Sequence, residues 1–287
     1  MQMLRELLKH DRRFLFGFVI MVFFLLITIL SFFNPYEDAA WNVFPRDLPP
    51  SGEHLLGTNS MGQDIFWKAT TAVRNSLVLS LVAAIISRTI AVVIGLISGY
   101  KGGMADIFLM TLNDSFVIIP LFPILILVAN ILKSQINLLL LGVILGLFGW
   151  AWDARLFRSQ ILSLRQREFT YTAVYSGMTD LEVVMKEHLP FVIPLVMAAT
   201  LNNIIWVIGM EVSLGVLGLS SLDVPTLGTM IFWATQYQAI FLGMWNWILT
   251  PVLICVFLIL GLYMLSVSIG QFLDPRTRLQ IIKSKDE

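Results

Sequence analysis

The sequence predicts an all-α, polytopic membrane protein with six transmembrane helices, and three observations carry that prediction. Apolar residues make up 57% of the 287-residue chain and charged residues only 13%, and mean hydropathy is +0.81; soluble domains carry about a quarter charged residues. Six apolar stretches, 14–33, 76–99, 106–131, 137–152, 191–217 and 247–270, approach or exceed the roughly 20 residues that cross a bilayer core about 30 Å thick. A charged block, 153–190, with four arginines and one lysine, separates the fourth stretch from the fifth. It is too polar for lipid and is expected to lie in water or against a partner protein.

The elements follow in order. Residues 1–13 read as a short cytoplasmic helix with Leu4, Leu7 and Leu8 on one face, or simply as a positive membrane-proximal end. The first apolar stretch is too long, and too poor in a small-residue cleavage site, for a removed signal peptide, so it is a retained span. Residues 34–75 form a polar external segment, with Pro35, Pro45, Pro49 and Pro50 among the residues that prevent long helices. The second span ends in a tight turn, Gly99-Tyr100-Lys101-Gly102-Gly103. Pro120 and Pro123 break the backbone ladder of the third span and should kink it. The fourth is short and needs its flanks to reach across. In the charged block, a helix over 169–175 is followed by Gly177, suited to a positive φ, and by a second helix over 179–188. Thr179 or Asp180 caps that second helix, which ends at Leu189-Pro190 where the fifth span begins. Residues 218–246 form an external loop in which Trp233, Tyr237, Trp245 and Trp247 read as an interfacial belt; sugar stacking is the other reading.

Lysine and arginine placement sets the orientation. With the N-terminus inside, the cytoplasmic segments carry Arg5, Lys9, Arg12, Arg13, Lys101, Arg155, Arg158, Arg165, Arg167, Lys186, Arg276, Arg278, Lys283 and Lys285. The outside keeps Arg46, Lys68, Arg74 and Lys133, and Arg88 lies within a span. Both termini and the 153–190 block are therefore expected in the cytoplasm, and the chain in a plasma membrane. The expected sections are 1–75 (tail, first span, external segment), 76–271 (a five-helix core containing 153–190) and 272–287 (cytoplasmic tail).

Several classes are excluded. The net charge is zero, which suggests no nucleic-acid partner. Cys255 is the lone cysteine, so no intrachain disulfide forms. His10, His54 and His188 lack the neighbours of a metal site, no nucleophile–base arrangement is present, and no phosphate-cradling G-x-x-x-x-G-K-[ST] occurs. A membrane enzyme, such as an intramembrane protease or acyltransferase, is thereby disfavoured. A non-transporting scaffold, with 153–190 recruiting a soluble partner, is the remaining rival.

Four ordered motifs carry a resemblance. Tyr171-Thr172-Ala173, Gly177, Glu187 and Leu189-Pro190 follow the spacing Glu-Ala-Ala, three residues, Gly, nine residues, Ile, one residue, Leu-Pro. That segment resembles the cytoplasmic signature of ABC importer permeases, with Tyr171, Thr172 and Glu187 as departures. His54-Leu55-Leu56-Gly57-Thr58-Asn59 with Gly62-Gln63-Asp64 is similar to HPLGTD-x-x-GRD of the dipeptide/oligopeptide branch, departing at Asn59 and Gln63. Gly99 to Gly103 with Asp106, Asp114 and Pro120, and Glu211 to Leu219 with Pro225 and Gly228, match two further runs of its shorter permease subunit. Leu273-Asp274-Pro275-Arg276 matches its usual ending.

The resemblance implies a type I ABC importer permease fold. It implies a heterodimer with a second homologous permease, two cytoplasmic ATPase subunits and an external solute-binding protein, all working in a lipid bilayer. ATP and Mg would be bound by the ATPases, this chain having no cofactor and no catalysis of its own. Residues 169–183 would be the coupling region, with Thr172, Ala173, Tyr175, Gly177, Asp180, Leu189 and Pro190 as its residues. Oligopeptides are the first cargo implied; oligosaccharides such as cellobiose or other glucosides, or nickel, are alternatives within the branch.

Five polar residues inside spans are candidates for the solute path or for interhelical bonds. Arg88 lies near the centre of the second span, where insertion costs about 2.5–3.5 kcal/mol, and departs from the apolar segment usual in the branch. It either pairs with Glu211, Asp114 or a group on the second permease, or it lines the path. Glu211 is either an outer contact or a hydrogen-bonded structural group. Asp114, Asn202 and Asn203 offer interhelical hydrogen bonds of about 0.6–2 kcal/mol or line the path.

Overall fold

The computed structural model describes residues 7, 11–36, 40–132 and 135–273. Outside them lie Leu4, Arg5, Leu8, Lys9, His10, Lys133 and everything from Asp274, including Arg276, Arg278, Lys283 and Lys285. Four helices are long and apolar enough to cross a membrane: α1 (Arg12–Leu30, extended by a 3₁₀ turn to Phe33), α2 (Ile65–Lys101), α8 (Asp180–Val216) and α10 (Trp245–Leu273). Two bent pairs complete six spans when each pair is taken as one: α3 (Gly103–Ile118) with α4 (Leu121–Ile131), and α5 (Leu138–Phe148) with α6 (Ala151–Arg165). The shorter helices are α7 (Glu168–Tyr175) and α9 (Leu227–Gln236). The protein is all-α and crosses the membrane several times.

α2 is the central post, packed against α5, α6 and α8. Lipid offers helices little hydrophobic drive to associate, so small residues and polar side chains must supply the contacts. Gly95 and Gly99 on α2 meet α6 so closely that an added Cβ would stand 2.7 Å from Phe157 Cβ and 2.8 Å from Ile161 Cβ. Gly142 and Gly146 on α5 meet α2 the same way, at 3.0 Å from the Leu79 carbonyl and 2.9 Å from that of Ala83. Both pairs have four-residue spacing, which puts them on one helix face.

The kink expected at Pro120 is present: α3 and α4 diverge by 79° across Ile119-Pro120, whereas Pro123 sits in the first turn of α4, where a missing N–H costs nothing. The turn at Gly102 is also as expected, with φ of 65°.

Other expectations are corrected. The second span begins at Ile65, not Ser76, because Asp64 caps it by accepting from the Trp67 N–H at 3.0 Å; the 75/76 section boundary falls inside α2. The segment 218–246, expected as an external loop, contains α9, which packs against α8 and α10. Trp247 is 1% exposed and belongs to the core rather than to a belt. The charged block is not a free loop over its first half. α6 buries Ala151, Ala154, Phe157, Ile161 and Leu164, a helical spacing that turns one face to the bundle.

Candidate functional site

The expected coupling residues gather at an elbow between α7 and the first turns of α8. α7 ends at Tyr175, and Gly177 turns the chain with φ of 86°. Thr179 then opens α8 with a reciprocal cap: its hydroxyl accepts from the Glu182 N–H at 3.4 Å, and the Glu182 carboxylate accepts from the Thr179 N–H at 3.0 Å. The helix does not stop at Leu189-Pro190. It passes through a π-helical stretch, Val183–His188, and continues to Val216. The wider turn accommodates the proline, which lacks an N–H and crowds the preceding carbonyl. Leu189 and Pro190 are therefore mid-helix residues, a correction to the expected two separate short helices.

The inner side of the elbow is tied to the bundle. Thr170 Oγ1 donates to the Leu164 carbonyl at 2.9 Å and lies 2.9 Å from His188 Nε2. The Tyr100 hydroxyl at the end of α2 donates to Asp180 Oδ1 at 3.3 Å. Ala173, Val183 and Val184 are buried beneath it. The outer side is apolar and bare: Tyr175 is 88% exposed and Leu181 72%, with Tyr171, Val174 and Met185 beside them. Two grooves, of about 600 Å³ and about 510 Å³, meet there and share Tyr100, Lys101 and Asp180.

The charges of 153–158 are spent within the chain. Asp153 pairs with Arg88, Arg155 with Asp114 at 2.5 Å, and Arg158 binds both oxygens of Asp106 at 2.6 Å. Ser98 adds a hydrogen bond to Asp106 at 2.5 Å. The three ion pairs tie α6 to α2 or α3, and the Ser98 bond ties α2 to α3. Arg88 thus has a partner that neither Glu211 nor Asp114 supplies, correcting the sequence expectation.

The other polar candidates also join helices. Asn202 Oδ1 accepts from Ser266 of α10 at 2.9 Å. Asn203 accepts from Ser87 at 2.9 Å and donates to the Gly149 carbonyl at 3.1 Å. Glu211 is fully buried, accepting from Ser76 Oγ at 3.1 Å and from the Gly228 N–H at 3.3 Å. Ser76 Oγ accepts in turn from the Leu227 N–H at 3.1 Å. Those two N–H groups open α9, so Glu211 and Ser76 satisfy its first turn. Sequence reasoning missed Asp153, Ser87, Ser76, Ser266 and Tyr100 as partners.

Residues 91–279 match the family described as "Binding-protein-dependent transport system inner membrane component". The chain belongs to this family. Its relatives include the "Oligopeptide transport system permease protein OppC" of Mycobacterium bovis, 31% identical over 246 residues, covering 85% of this chain and 82% of the relative. The protein of the same description from Lactococcus lactis subsp. lactis is 28% identical over 279 residues, 95% of this chain and 94% of the relative. The "Dipeptide transport system permease protein DppC" of Bacillus subtilis is 27% identical over 184 residues, 64% of this chain and 57% of the relative.

In the segment near residue 60, the two departures from the branch motif it resembles contact each other. Asn59 Nδ2 donates to Gln63 Oε1 at 3.1 Å, with both side chains buried. Where the related motif carries aspartate and arginine, this chain has a neutral amide pair in the same register. His54 Nδ1 and Asp64 Oδ2 lie 2.8 Å apart.

Proposed function

We propose that this chain is the permease subunit of an ABC importer for oligopeptides. With a second homologous permease it forms the translocation pathway; two cytoplasmic ATPases, which hold ATP and Mg, drive it, and an external solute-binding protein delivers cargo. Both termini and the α7–α8 elbow lie in the cytoplasm on this reading, and the chain itself performs no catalysis. Peptide cargo is supported by the names of the relatives. The observation that carries the coupling role is the elbow's division of surfaces. Its inner face is bonded to α2 and α6, and its outer face exposes Tyr171, Val174, Tyr175 and Leu181, which no other described residue covers. Apolar area of this kind, rimmed by polar residues, marks a protein contact.

The role is tested with a single cysteine at Tyr175, on a background in which Cys255 is replaced by serine. The expected result is a disulfide to cysteines placed along the ATPase surface, formed in membranes that hold the assembled transporter and altered in yield by ATP. ATP-dependent uptake of a labelled oligopeptide into vesicles holding all the subunits is the companion measurement. A Tyr175 position that reacts only with reagents added outside intact cells would overturn the reading.

A further inference from the structure

The elbow hangs between two rods: α6 leads into it and α8 leads away. Both rods meet α2 at one depth. On α2, Ser87 donates to Asn203 of α8, and the next residue, Arg88, pairs with Asp153 in the first turn of α6. Arg88 lies roughly 20 Å up the helix from Lys101, at 1.5 Å per residue. The α5–α6 span bends by 45° at this level. There the Gly149 carbonyl accepts from Asn203 Nδ2 at 3.1 Å and from Arg88 Nη2 at 3.5 Å. A carbonyl released from a helix ladder inside a membrane needs another donor, and here α8 and α2 each supply one. The Arg88 guanidinium also lies over the Phe157 ring, 5.8 Å from its centroid, and so holds α6 at two places one turn apart. Its Nε and Nη1 have no hydrogen-bond partner among the described residues, so its polar commitment is to this joint.

We infer that Arg88 and Asp153, with Asn203 and the Gly149 carbonyl, form the fulcrum about which α8 moves against the α2–α6 pair when the elbow is displaced. This rests on the function proposed above. Below the joint, Gly95 and Gly99 lock α6 to α2 as one body. α8 is held to α2 by side-chain bonds at Asn203 and again at Glu211. A push on the elbow therefore swings the part of α8 between the elbow and Asn203 about the joint, while the part beyond it stays held to α2. Arg88 and Asp153 are positioning residues in this scheme: they act through α6 and need touch no solute.

The test uses the complete transporter in proteoliposomes and reads peptide imported per ATP hydrolysed, with subunit co-purification alongside. Arg88→Leu and Asp153→Leu should each lower that ratio at least tenfold. Exchanging the charges, Arg88→Asp with Asp153→Arg, should bring it back to within about threefold of wild type. Arg88→Leu with Asp153→Leu leaves no buried ion unpaired, so it should assemble yet stay uncoupled; it also supplies the answer if a single variant fails to assemble. A double-leucine transporter that imports as much peptide per ATP as wild type would overturn the fulcrum. A wild-type complex with no ATP-driven import would instead overturn the proposed function.

Discussion

The two ends of the helix bundle are held by different chemistry. Around α6, side chain meets side chain across helices: Arg88 with Asp153, Arg155 with Asp114, Arg158 with Asp106. Around α9 and the start of α2, side chains satisfy backbone: Asp64 caps α2, Glu211 and Ser76 cap α9, and Asn75 Nδ2 donates to the Pro225 carbonyl at 2.8 Å. Bonds to helix ends fix where an element starts. Ion pairs between helix flanks fix how two elements lie against each other, and a set of them tolerates rotation better than a cap does. On the function proposed above the elbow end would transmit movement, whereas the caps at the other end hold the short helix α9 inside the bundle.

The largest expected effect comes from removing a cap. Glu211→Leu strips the acceptor from the Gly228 N–H and from Ser76 Oγ at a site with no exposure. Each unsatisfied buried donor costs about 1–3 kcal/mol, so a loss of about 3 kcal/mol is expected. Glu211→Gln keeps one acceptor oxygen and should cost about 1 kcal/mol. Thermal unfolding of the purified subunit in detergent measures both. Equal losses for the two variants would show that α9 is held by packing, and the contrast between the ends would fail.

The next effect concerns the amide pair. Asn59→Asp sets a carboxylate against Gln63 Oε1 in a site only 1% exposed, at an expected cost of about 2 kcal/mol. Gln63→Arg alone places a second cation where Lys68 Nζ now lies 2.7 Å from Gln63 Oε1, and should cost about 1 kcal/mol. Together the two restore the aspartate–arginine pair of the related motif, so the double variant should fall short of the summed losses by at least about 1 kcal/mol. Additive losses would mean that the two departures are unrelated.

How much of this was legible in the sequence depends on the range of each signal. Bilayer thickness imposes the length of a span, so six stretches were visible, and Pro120 announced its own bend. The Thr179 cap and the Gly177 turn rest on neighbours within a few residues and were legible too. What the sequence concealed was pairing at long range. Arg155 and Arg158 looked available to a partner because Asp114 and Asp106 stand a whole span away. α9 was hidden because Ser76 and Glu211, which satisfy its first turn, belong to other helices. One signal for α6 was present and outweighed by net charge: Ala151, Ala154, Phe157, Ile161 and Leu164 recur at helical spacing. The four-residue glycine pairs at 95/99 and 142/146 were another, marking the faces of α2 and α5 that close contact requires.

The smallest effect separates two ion pairs within the elbow end itself. The Asp114 and Arg155 side chains are 50% and 41% exposed, whereas Arg88 is 8% exposed beside Asp153. Water and salt screen an exposed pair, and its net worth is about 0–1 kcal/mol. Breaking a fully buried pair costs about 3–5 kcal/mol; with Asp153 23% exposed the loss expected here is smaller, about 2 kcal/mol. Asp114→Asn is therefore expected to change unfolding by at most about 0.5 kcal/mol, and that change should vanish at 1 M salt, where the screening length falls to about 3 Å. Asp153→Asn, treated identically, should show a loss several times larger that salt does not remove. If the two substitutions proved equal and equally salt-sensitive, Arg88 would be reached by solvent, and the joint between α2, α6 and α8 would lack the rigidity that a pivot needs.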